Sequence, residues 1–186
     1  MAATFSWAQY IGSSGNSTTF NTYGLMATSS SNSMSWDFET ADTTGSASYT
    51  ANPVSAGSAS YPVWLKGYFT NGVAYTVSNV KFWQFIPAAS SANTASFTVL
   101  GTVQTAYSVA TATATGTAYA SNVSVPTAAS STASPGSPLV MTGSFGSGGG
   151  NSLVNTAYLC LQLSAAAAAP AGTSGYFGFT MQYDEQ

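Results

Sequence analysis

Asp37, Glu39 and Asp42 are the one place in this sequence where carboxylates gather away from the chain's end. On an extended strand Asp37 and Glu39 point to one face, and Asp42 can curl back from a following turn. Three carboxylates so placed could hold a hard cation such as Ca²⁺, which takes about six to eight oxygen ligands. Asp37 and Glu39 also have the spacing of a glycosidase pair, whose carboxyls lie about 5–10 Å apart across a sugar. The plainer reading is a solvated sheet face whose acids serve solubility, because nothing nearby resembles an EF-hand loop.

Elsewhere the means for chemistry are thin. Lys66, Lys81, Asp184 and Glu185 complete the charged residues, which make up 4% of 186, and there is neither Arg nor His. Two lysines cannot neutralise a run of phosphates, which excludes nucleic-acid binding through the backbone. Without His, and with Cys160 alone, there is no His-based triad, no common zinc site, no thiol–imidazole pair and no internal disulfide. The expectation is a structural protein without enzymatic activity, and without a cofactor unless Ca²⁺ sits at Asp37, Glu39 and Asp42.

Two other groups could bind. Tyr61, Trp64, Tyr68, Phe82 and Trp83 crowd one stretch, and exposed tryptophans on a sheet would suit a carbohydrate-binding module. A packed core suits them better: Trp64 and Lys66 share a face while Leu65 lies opposite, so both faces read as partly covered. Thr111, Thr113, Thr115 and Thr117 form a comb similar to the threonine ranks of ice-binding proteins, but as one rank where several are needed.

The elements that carry these residues read as strands. Asn71-Gly72 between aromatic and β-branched runs predicts a hairpin, with Val63–Phe69 before it, Val73–Val77 after it, and Val80–Ile86 as a further strand. Leu159, Leu161 and Leu163 alternate at period two, as do Phe177, Phe179, Met181 and Tyr183, and more weakly Trp36, Phe38 and Thr40. Further extended runs are expected over Phe97–Leu100, Val103–Val109 and Thr117–Val125. Residues 127–138 and 143–150 read as loops. Five alanines at 165–169 are too few to nucleate a helix.

The resulting expectation is an all-β chain: an antiparallel β-sandwich of about eight strands, jelly-roll-like, as one domain over 31–186. Residues 1–30 scatter Phe5, Trp7, Tyr10, Phe20 and Tyr23 among Gly, Ser and Asn. They are expected either as an N-terminal arm placing those aromatics on a neighbouring subunit, or as an irregular first strand. The first residues lack a positively charged and then apolar leader, and no apolar run approaches about 20 residues. The expectation is a protein that stays in the cytoplasm where it is made, away from membranes.

Ser, Thr, Ala and Gly together are 103 of the 186 residues, so hydroxyls and small methyl groups must form most of the surface. Soluble monomers usually carry about 25% charged residues. Copies with so few ions can press together with little desolvation cost and no long-range repulsion. That predicts a homo-oligomer.

Asn52-Pro53-Val54-Ser55-Ala56-Gly57-Ser58-Ala59-Ser60-Tyr61-Pro62-Val63-Trp64-Leu65, followed by Val77-Ser78-Asn79-Val80-Lys81-Phe82-Trp83, resembles segments of small β-sandwich virion proteins of tailed bacteriophages. Tyr183-Asp184-Glu185 fits the same resemblance, which covers about a third of the chain. It implies a capsid decoration or minor capsid protein that binds identical subunits and the major capsid protein lattice within the virion. A filament or surface-layer subunit is the second expectation.

Overall fold

Residues that alternate at period two bury one side of an extended chain, and here they build sheets. The structure is a computed structural model describing residues 4–10, 38–41, 51–70, 77–85, 96–104, 107, 123–128, 134–141, 153–154, 157–170 and 177–185. Among these are ten strands and no helix: β1 (Thr4–Tyr10), β2 (Val63–Thr70), β3 (Val77–Phe85), β4 (Phe97–Gln104), β5 (Val123–Ser124), β6 (Thr127–Ala128), β7 (Leu139–Met141), β8 (Leu153–Val154), β9 (Tyr158–Ala165) and β10 (Gly178–Glu185). Strands of two or three residues, β5 to β8, complete no period that a sequence reading can detect.

The first sheet runs β1-β2-β9-β4-β5, with β8 also on β2, and the second runs β10-β3-β6, with β7 also on β3. Pairing is antiparallel except between β3 and β6. Residues 123–128 stitch the two sheets together. Val125 N–H donates to Val99 O at 2.9 Å in the first sheet, and Gln84 N–H donates to Pro126 O at 3.0 Å in the second.

One core joins them. Leu65, Val99, Leu159 and Leu161 of the first sheet meet Val80, Phe82 and Met141 of the second in a single buried cluster. Phe82 also stacks on Phe179 of β10, with ring centroids 5.4 Å apart. Burial of each such side chain contributes roughly 1.5–3 kcal/mol. The first sheet is covered on its other face too, since Trp64, Cys160 and Gln162 are fully buried beside Leu65, Leu159 and Leu161.

Several expectations change in detail. The strand expected over 73–77 lies outside the described residues except for Val77. That residue opens β3 and pairs with Glu185 in the second sheet, not with β2. Phe97–Leu100 and the start of the next expected run form the single strand β4, which ends at Gln104. Residues 38–41 lie outside the strands, so the weak alternation around Phe38 does not make a strand there. Phe38 instead packs against the core from a loop. Asp184 lies inside β10. There β3 carries a bulge: Asn79, at φ 52°, donates from Nδ2 to Asp184 Oδ2 at 2.6 Å where the β3–β10 register shifts. Asn tolerates the left-handed conformation better than most residues, so it suits the bulge.

Candidate functional site

The outer face of the first sheet gathers aromatic side chains from four successive strands or their ends. β1 pairs with β2 so that Tyr10 sits opposite Trp64, and β2 pairs with β9 so that Trp64 sits opposite Cys160. Tyr158, two residues before Cys160, therefore shares that face. Tyr107 joins from just beyond β4. Tyr10 meets Tyr158 edge-on with centroids 5.2 Å apart, and Tyr107 lies 6.1 Å from each. The buried Trp64 forms the floor, 5.5 Å from Tyr107 and 6.1 Å from Tyr158. The three tyrosines are half-buried. Burial, and then the neighbouring Tyr10, push the Tyr158 hydroxyl above its ordinary value.

These rings fill the space between themselves. Their 5–6 Å spacing is that of aromatic pairs in direct contact, which leaves no slot for a sugar ring or a quaternary ammonium group. Trp64 is 0% and Trp83 2% exposed, so neither indole offers the open platform of a carbohydrate-binding module. The sequence flagged Trp64 and Tyr10 but passed over Tyr107 and Tyr158. The parity of Tyr158 with Cys160, opposite to the leucines of β9, was the available signal.

Of the acidic group, Asp37 and Asp42 lie outside the described residues, as do Phe20 and Tyr23 of the expected interface. Glu39 is not on a solvated face: it is 3% exposed. Its carboxylate Oε2 accepts from Asn52 Nδ2 at 3.4 Å, and its backbone oxygen accepts from Tyr61 N–H at 2.8 Å. Thr40 N–H donates to Asn52 O at 2.9 Å. Glu39 thus ties residues 38–41 to the segment leading into β2. Among the described residues no three His, Cys, Asp or Glu side chains converge as metal ligands. Phe5 and Trp7 occupy β1 at register positions opposite Phe69 and Gly67, which makes that part of the expected arm a strand of the protein's own sheet.

No family model, curated protein or solved structure matches the chain.

What this arrangement does chemically is hold. A second polar clamp shows the same habit. Gln162 Nε2 donates to Ser60 O at 2.9 Å, and the Ser60 hydroxyl accepts from Leu163 N–H at 2.9 Å while donating to Tyr61 O at 2.9 Å. The Ser60 backbone N–H in turn donates to Leu163 O at 2.8 Å, so backbone and side chain of one residue together satisfy both backbone groups of Leu163. Polar side chains here satisfy buried backbone groups, as burial demands. Glu39→Ala is expected to lower stability by about 1–3 kcal/mol, since it removes the buried side chain that bonds Asn52 and fills the space between residues 38–41 and the segment leading into β2, whereas Glu39→Gln, which keeps an acceptor oxygen there, should cost less. Urea midpoints at unchanged slope measure both.

Proposed function

We propose that this chain is a virion structural protein, a capsid decoration (cement) or minor capsid protein that stabilises a phage head as a homo-oligomer. Its fold in this reading is a jelly-roll-like β-sandwich, and it has no enzymatic role. The observation that carries the proposal is the scarcity of charge: seven ionisable acids and lysines in 186 residues, with a net charge of -3. One of the seven, Glu39, is buried within the fold, which leaves the exterior poorer still. Sheets joined by one core supply a rigid block, and a surface of hydroxyls and small methyls lets such blocks meet closely. Obligate interfaces are large and apolar, often above about 2,000 Å².

Purified protein added to capsids that lack it should co-sediment with them and raise their resistance to heat. Few ionic terms are available to screen, so both the oligomer and its capsid binding should persist from about 0.1 to 1 M salt. Mass photometry and sedimentation across that range measure this. A strictly monomeric protein that ignores capsids overturns the reading, and assembly into filaments without capsids favours a filament or surface-layer subunit. Loss of assembly on adding a chelator, reversed by Ca²⁺ and absent in a variant with Asp37 and Asp42 both replaced by Asn, would support Ca²⁺ at the Asp37, Glu39 and Asp42 group.

A further inference from the structure

The tyrosine cluster on the first sheet has a chemical capacity that packing alone does not use. We propose that Tyr10 and Tyr158 are a site of oxidative cross-linking, joining as dityrosine when a peroxidase-type one-electron oxidant acts on the folded protein. The inference goes beyond the assembly reading and stands without it.

The geometry singles out this pair. Tyr10 and Tyr158 have the shortest centroid separation among the three tyrosines, 5.2 Å against 6.1 Å for either one with Tyr107. They belong to strands that are not neighbours, since β2 lies between β1 and β9. The two rings therefore meet over Trp64, and each is half-buried, which leaves an edge for an oxidant to reach. Tyr10 also acts electrostatically on the Tyr158 hydroxyl, as expected of phenol groups that approach one another. Rings this close let a radical formed on Tyr107 or Trp64 pass to the pair.

The step balances simply. Each phenol gives up one electron and one proton to become a phenoxyl radical. The radicals form one carbon–carbon bond between ring positions ortho to the hydroxyls, and each coupled ring regains aromaticity by moving its ortho proton to oxygen. The two electrons and two protons reduce one hydrogen peroxide to two waters. The product staples β1, the end strand of its sheet among the described strands, to β9 across β2. It closes a covalent loop through most of the chain, and long closed loops restrict the unfolded state most.

The full-length protein treated with hydrogen peroxide and a haem peroxidase should gain dityrosine fluorescence, lose two hydrogen atoms in mass and remain at its original subunit size. Tandem mass spectrometry should find Tyr10 joined to Tyr158 as the main product. The thermal midpoint of the cross-linked form should rise by about 5 °C or more. Tyr10→Phe and Tyr158→Phe keep the rings and should each abolish that product, while Tyr107→Phe should retain it. The same treatment in denaturant should scatter linkages over the 11 tyrosines. A main product that joins other tyrosines, links separate chains, or survives Tyr10→Phe overturns the proposal.

Discussion

Trp64→Ala is expected to destabilise the protein by about 3–5 kcal/mol, a large part of the roughly 5–15 kcal/mol available to a domain. The indole is fully buried on the face of the first sheet away from the main core, so truncation opens a cavity instead of exposing a surface. Its loss also removes the floor under Tyr107 and Tyr158, the latter being the ring on which Tyr10 rests. The attachment of β1 should weaken with it, because Tyr10 is the residue paired with Trp64 in the β1–β2 ladder. Guanidinium unfolding with near-ultraviolet circular dichroism reads both effects. Trp64→Phe should cost clearly less, as it restores a ring to the cavity. An unchanged midpoint for Trp64→Ala would show that the outer face of this sheet is not packed.

How far these features could be read in advance depends on the length of each signal. The alternation of Leu159, Leu161 and Leu163, and that of Phe179, Met181 and Tyr183, extends over several residues, and both became strands of eight residues. The burial of both faces at Trp64 and Leu65 was also readable, from apolar bulk at adjacent positions. The stitch at residues 123–128 was not, because two-residue strands hold no period and their pairing is decided by distant partners such as Gln84 and Val99. Glu39 misled for a related reason. A carboxylate between Phe38 and Thr40 reads as the polar face of a strand, but the backbone bonds to Tyr61 and Asn52 draw it inward from a loop. Tyr107 and Tyr158 lie about 50 residues apart in sequence, and only the β4–β9 register, with Gln104 opposite Tyr158, brings them to one place.

Gly101 should behave as a spacer between the sheets, and replacing it should be costly for want of room alone. Its φ lies outside the left-handed region, so backbone strain does not enter. A Cβ at this position would lie 2.7 Å from Val125 Cγ2, 2.9 Å from Leu161 Cδ2 and 3.3 Å from Leu139 Cδ1. These three side chains belong to the stitch, to β9 and to β7 of the second sheet, so no single rotamer change relieves all of them. Gly101→Ala is expected to cost about 1–3 kcal/mol, and Gly101→Val more. Leu161→Ala alone should cost about 2–5 kcal/mol by leaving a cavity where the leucine is fully buried. The two sites face one another across the β4–β9 ladder, so the errors are complementary. Gly101→Val with Leu161→Ala returns volume to the cavity, and the double variant should fall short of the summed costs by about 1 kcal/mol or more. Strict additivity in a chemical-denaturation cycle would show that the two residues do not share the space across the β4–β9 ladder.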